Sequence, residues 1–400
     1  MTTQDSTQPK AENTSPTNAR VQSILATLFV LFAAITVSLV LAECLARWYL
    51  MSFANGNVFL TYASERQLVQ KYGSGNSKFA AHPYLIWIPR PNWTRGPNKH
   101  NSLGFRGDEF PVAKPAGEFR IACLGSSTTY TSAVEDYRMS YPAQLEVQLR
   151  EQHPNTRVIN AGTSGWTTWE DLINFETRVL DLSPDLVIVY EGINDFEDRL
   201  VWPPEAYRGD DSGSRAAPQR DINMPHFLEY STLARYALIR LGFTRPHSRL
   251  ERLLVRPRSS LLIEYRVQLR KGTYPKSPFD KIPVEQIRAA NPPIYFKRNL
   301  EHLIAIGRMH NVKVVLATMA TAPVEARLDF AAPQDIAAIE EMNDTTRTVA
   351  AKMGVPLFDF ARVFPKDAML FADGVHVNEK GAQLTAKYIG EFLQREGLIR

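Results

Sequence analysis

Apolar positions along the chain change their pattern twice. Ile24 to Ala42 (ILATLFVLFAAITVSLVLA) is an unbroken, uncharged run, flanked by Arg20 on one side and by Glu43 and Arg47 on the other. At 1.5 Å per residue it spans about 30 Å as a helix, one hydrocarbon core. A helix buried in a soluble protein would give a similar run, but uniform apolarity this close to the N-terminus favours a membrane segment, expected over residues 21–50. Trp48 and Tyr49 follow where an interfacial aromatic belt would lie. The run is longer than the usual apolar part of a signal peptide and has a long tail before it, so an uncleaved anchor is expected. Val40-Leu-Ala42 could serve as a cleavage site. Cys44 follows Glu43 rather than a small residue, which argues against a lipoprotein signal. Lys10 and Arg20 precede the run and only Arg47 closely follows it. This favours a cytoplasmic N-terminus with the body of the chain periplasmic or extracellular.

From Phe119 the pattern changes to short apolar runs of strand length at 119–124, 157–160, 185–190, 312–317 and 356–359. Helical periods lie between them: Tyr141 to Leu149, Thr168 to Leu180, Ile294 to Met309, Pro333 to Met353 and Asn378 to Gln394. Strands that do not alternate between apolar and polar are covered on both faces, and strands separated by helices run parallel. The expected core is a three-layer α/β/α sandwich over residues 119–400.

The remaining stretches are less patterned. Residues 1–20 are polar and without period, which reads as a disordered tail. Residues 51–118 are rich in Pro, Gly and Asn and read as an extended approach segment packing on the core. Their function is not legible. Between about 198 and 290 the alternation breaks. Asp210 to Pro218 reads as a loop, and Leu228 to Leu241 and Leu261 to Leu269 as helices. From Arg235 to Lys271 there are ten Arg or Lys against two Glu. The plain reading is a solvated helical insertion. The sharper readings are a cap over a site, or a basic surface (235–271) against anionic headgroups beside the segment at 24–42.

Composition narrows the choice of function. A net charge of +4 over 400 residues is too weak to argue for nucleic acid. Two cysteines, Cys44 and Cys123, exclude a disulfide framework and a cysteine zinc site. The Gly/Ser loop after the first strand lacks both Gly-Lys-Ser/Thr and a spaced Gly-x-Gly-x-x-Gly, so a phosphate cradle is disfavoured.

Four pieces fall at the carboxyl ends of expected strands, which share one edge of a parallel sheet. They are Gly125-Ser126-Ser127, Asn160-Ala-Gly162-Thr-Ser-Gly165, Glu191-Gly192-Ile-Asn194-Asp195 and Asp373-Gly-Val-His376. A serine hydroxyl needs a base to become a nucleophile. His376 can take the proton of Ser127, and Asp373 can hold the other ring nitrogen. Attack on a carbonyl creates an oxyanion, for which the Ser127 N–H, the Gly165 N–H and the Asn194 amide are candidate donors. Any one piece alone reads as an ordinary turn or cap. Their joint presence favours catalysis.

These motifs resemble those of the SGNH, or GDSL-type, hydrolase superfamily over about residues 119–396. Gly192-Ile-Asn-Asp195 and Asp373-Gly-Val-His376 fit outright, and Ser126 stands where the founding motif has Asp. The resemblance implies a flavodoxin-like sheet of about five parallel strands, no metal or cofactor, and acyl-ester chemistry. The leading expectation is a membrane-anchored serine esterase acting on O-acetyl or other carboxylic esters. An O-acyltransferase of envelope or exopolysaccharide, a lipid-directed esterase and a catalytically silent scaffold stand as alternatives. The saccharide or lipid carrier is not legible.

Overall fold

The computed structural model describes residues 16–54, 56–64, 67, 78–82, 84–201, 204–210, 230–241, 243 and 284–399. Helix α1 (Pro16–Ser52) contains the apolar run, and its Ser23–Ser52 portion is long and apolar enough to cross a membrane. The leucines and phenylalanines of the apolar run, Ile24 to Ala42, are exposed. Helix α2 (Gly56–Tyr62) follows. Two antiparallel pairs come next: β1 (Phe79–His82) with β2 (Ile86–Pro89), then β3 (Thr94–Arg95) with β4 (Asn98–Lys99).

The central sheet comprises β5 (Phe119–Gly125), β6 (Thr156–Asn160), β7 (Leu186–Tyr190), β8 (Lys313–Ala317) and β9 (Leu357–Phe358), all parallel. Their order is β6-β5-β7-β8-β9. Register is set by pairs such as Ile121↔Val158, Ile121↔Leu186 and Val187↔Val314. Every residue of β7 is buried, which a strand covered on both faces requires. The strand order reverses at β5, so β6 and β7 flank it and the loops after β5 and β7 open a crevice between them. Open α/β sheets bind ligands at such a crevice.

The connecting helices are α3 (Ser127–Tyr130), α4 (Tyr141–Arg150), α5 (Thr168–Asn174), α6 (Ile193–Asp198), α7 (Thr232–Arg240), α8 (Val284–Ala290), α9 (Ile294–Met309), α10 (Pro333–Met353), α11 (Phe360–Val363) and α12 (Glu379–Arg395). Pro142 sits in the first turn of α4, where its missing N–H costs nothing. Thr167 and Glu170 form a reciprocal capping box on α5. The helical period read from Thr168 to Leu180 is not one α-helix. It passes into a π turn at Phe175–Val179 and a 3₁₀ turn at Leu180–Leu182.

Within the irregular region, the described part of Leu228 to Leu241 forms α7, whose N-terminus rests on α1. Glu43 accepts hydrogen bonds from Ser231 Oγ, Thr232 N and Leu233 N. Leu50, Phe59, Tyr62 and Ile239 bury a small cluster beside it. Residues 1–15, 211–220 and 251–271 lie outside the described residues, and with them most of the expected tail, the loop beyond Asp210, the helix at Leu261 to Leu269 and most of the basic stretch.

Candidate active site

β5 ends at Gly125, where the backbone takes φ +146°. A Cβ there would lie 2.3 Å from Tyr190 O, so only glycine lets β5 turn this tightly against β7. The turn delivers Ser127 to the first position of α3, half-buried, with its hydroxyl facing the loop that precedes α12. That loop carries Asp373 and His376. His376 Nε2 lies 2.7 Å from Ser127 Oγ, and His376 Nδ1 lies 2.7 Å from Asp373 Oδ2. Asp373 Oδ1 also accepts from the backbone N–H groups of Val375 and His376, at 2.9 and 2.8 Å.

These contacts fix where the protons sit. Burial would raise the Asp373 pKa. The His376 bond and charge and the two backbone N–H groups outweigh it and hold the pKa below the ordinary carboxyl value. An ionised carboxylate only accepts, so His376 Nδ1 carries a hydrogen. In the neutral ring Nε2 then presents its lone pair to the Ser127 hydroxyl. The arrangement can take a proton from Ser127 as its oxygen attacks.

The two other sequence-predicted residues sit on neighbouring loops. Gly165 lies in the turn after β6 at φ +83°. Asn194 is in the first turn of α6, and its Nδ2 donates to Trp166 O at 2.7 Å. An amide nitrogen has two hydrogens, so one remains to donate elsewhere. Among the described residues, no hydrogen bond occupies the backbone N–H of Ser127 or of Gly165.

Several side chains behind these loops carry no sequence signature. Asp171 Oδ1 accepts from Gly125 N, and Glu191 Oε1 from Gly192 N, both at 3.1 Å. Both carboxyls are fully enclosed. Burial, then neighbouring carboxylates, raises each pKa well above the ordinary range. Asp171 reads from sequence as a first-turn acid of a helix, and Glu191 as part of a turn. Asp195 accepts from Thr168 N and from Thr168 Oγ1, joining α6 to α5.

Arg106, in the approach segment, donates to the carbonyls of Tyr130, Thr131, Val134 and Glu135 and so holds the exit of α3. Tyr130 OH meets His100 Nε2 at 2.8 Å. Burial pushes the His100 pKa down to about 4, so the ring is neutral at neutral pH. Its Nδ1 donates to Arg90 O, which leaves Nε2 to accept from the tyrosine. Among the described residues, no group of three or more His, Cys, Asp or Glu is arranged to hold a metal ion.

A family model for the GDSL-like lipase/acylhydrolases matches residues 123–384. The chain belongs to the GDSL-like lipase/acylhydrolase family. It is thus an enzyme of the GDSL, or SGNH, hydrolase type, and the five-stranded α/β core agrees with that. No curated protein matches the chain. Similar solved structures include a lipase/acylhydrolase from Enterococcus faecalis, 18% identical with a TM-score of 0.39, covering 70% of this chain and 96% of that one. A catalytic mutant of an acetylxylan esterase from Geobacillus stearothermophilus is 15% identical with a TM-score of 0.40, covering 70% and 96%. A GDSL-like lipase from Bacteroides thetaiotaomicron is 14% identical with a TM-score of 0.39, covering 71% and 92%.

Proposed function

We propose that this GDSL-like hydrolase is a membrane-anchored serine esterase for O-acyl, including O-acetyl, esters. Ser127 is the nucleophile, His376 the general base and acid, and Asp373 the group that orients His376. One observation carries this reading: the unbroken relay from Asp373 Oδ2 through His376 to Ser127 Oγ, with both bonds at 2.7 Å.

In the first half-reaction Ser127 Oγ attacks the ester carbonyl while its proton passes to His376 Nε2. Asp373 stabilises the imidazolium that forms. The carbonyl oxygen becomes an oxyanion, met by the N–H groups of Ser127 and Gly165 and the free hydrogen of Asn194 Nδ2. The intermediate collapses, His376 gives its proton to the departing alkoxide, and an acyl-Ser127 ester remains. In the second half, water loses a proton to His376 and attacks that ester. The acid leaves, and Ser127 recovers its proton.

The apolar helix serves in this reading as an uncleaved anchor. The basic residues before it outnumber those just after it, which favours a cytoplasmic N-terminus and an extracytoplasmic catalytic domain.

The test is turnover of p-nitrophenyl acetate by Ser127→Ala and Asn194→Ala. Ser127→Ala is expected to abolish turnover with an unchanged melting temperature. Full activity in the folded variant would remove Ser127 as nucleophile. Asn194→Ala is expected to lower kcat by roughly 10²–10³-fold. A rise in KM alone would remove Asn194 from the oxyanion hole.

A further inference from the structure

The hairpin of β1 and β2 lies outside the central sheet but reaches the site through a reciprocal pair of bonds. Trp87 Nε1 donates to Ser164 O at 3.1 Å, and Trp166 Nε1 donates back to Trp87 O at 3.1 Å. Both indoles are fully buried, in a cluster with Phe79 and Leu85. The Ser164 carbonyl belongs to the same peptide unit as the Gly165 N–H.

That unit is the middle peptide of a tight turn from Thr163 to Trp166, closed by Trp166 N donating to Thr163 O at 3.2 Å. Gly165 is the third residue of the turn and has the positive φ that a type II turn needs there. Types I and II differ mainly in how this one peptide is rotated, by roughly half a turn. The orientation of the middle peptide is therefore a soft coordinate. A planar trans peptide points its C=O and its N–H in opposite directions. Whatever holds Ser164 O also decides where the Gly165 N–H aims.

We infer that Trp87 is a positioning residue for the oxyanion hole, its indole N–H locking the Ser164–Gly165 peptide so that the Gly165 N–H faces the developing negative charge. This rests on the esterase reading and on Gly165 as a donor. Two further contacts fit the role. Ser164 Oγ meets Ser132 Oγ, just beyond α3, at 2.7 Å. The last carbonyl of the same turn, Trp166 O, holds the Asn194 amide. One turn thus sets two of the three donors, and a segment outside the sheet fixes the turn.

The experiment uses the full-length protein in detergent and p-nitrophenyl acetate. Trp87 is replaced by 3-benzothienylalanine, an isostere that keeps the ring volume and lacks the N–H. Trp87→Phe is made as a second variant. Phe79→Leu is the control, since it loosens the same cluster without touching the peptide. The isostere is expected to lower kcat roughly 10- to 100-fold with KM unchanged, the scale of a misaimed catalytic group. Phe79→Leu is expected to lower the melting temperature while keeping kcat. A purely structural role would make kcat follow the melting temperature across all three. That pattern, or full kcat in the isostere while Ser127→Ala is inactive, overturns the positioning role alone. Turnover surviving in Ser127→Ala overturns the esterase reading and the positioning role with it.

Discussion

Asp171, within α5, accepts from the N–H of Gly125 at the end of β5, and Glu191, just after β7, accepts from the N–H of Gly192 before Asn194. Enclosure raises both pKa values, so the folded protein keeps protons that the unfolded chain releases above about pH 4. The pair's contribution to stability is therefore complete below that range and declines as pH rises towards the folded-state values. Glu191→Gln keeps the shape and removes one titration. Urea midpoints of this variant are expected to fall less steeply between about pH 5 and about pH 9 than those of the parent. A slope equal to the parent's would show that Glu191 is already ionised in the fold. Asp373 has the opposite sign. Its lowered pKa makes its contribution complete above the ordinary carboxyl value and lost as pH falls below it. Sequence made Ser127, Asp373, His376, Gly165 and Asn194 candidates because acyl chemistry requires those residue types at strand ends. It was silent on Trp87, whose bond to Ser164 O spans 77 positions and leaves no local pattern. It was equally silent on Asp171 and Glu191, because a buried acid and a first-turn acid look alike in sequence.

Elements were legible where one apolar period decides them. The run at 185–190 became β7 within one residue, and Pro333 to Met353 became α10 without change. The period at Thr168 to Leu180 misled because α, π and 3₁₀ turns differ by a fraction of a residue per turn and bury nearly the same face. The approach segment was opaque because its order comes from distant partners. Arg106 shows this: one buried guanidinium satisfies four carbonyls from the end of α3 onward. Lysine has no planar fork to reproduce that pattern. Arg106→Lys is expected to cost at least about 2 kcal/mol of stability by chemical denaturation. A loss below about 0.5 kcal/mol, the size of an ordinary surface change, would show that the carbonyls find other partners. Glu43→Ala removes the acceptor for three donors around the start of α7. It is expected to cost about 0.5–2 kcal/mol, read as faster hydrogen exchange of the α7 amides. Unchanged exchange would mean that the cap contributes nothing.

At the scale of the whole molecule, the apolar helix packs on the body of the chain through its C-terminal end. Its last ten residues supply Glu43 to α7 and Leu50 to the cluster with Phe59, Tyr62 and Ile239. A chain beginning at Glu43 keeps both contacts, whereas one beginning at Phe53 loses both and exposes the cluster. The shorter chain is expected to melt at least about 4 °C lower. Equal melting temperatures would show that the helix and the body are independent. The five-stranded sheet was legible as a class from its non-alternating strands, and the reversal of strand order at β5 explains why the site forms there. The insertion was not legible to the same degree. Its described helix is held by contacts to a helix about 190 positions earlier, and no local period encodes that.

The relay from Asp373 to Ser127 is tested most directly by intact-mass measurement of the full-length protein after reaction with a fluorophosphonate. A hydroxyl activated by His376 is expected to take up one adduct, located on Ser127 by peptide mapping and absent from Ser127→Ala. A folded wild-type protein that gains no adduct, or an adduct that persists in Ser127→Ala, would contradict the serine esterase assignment.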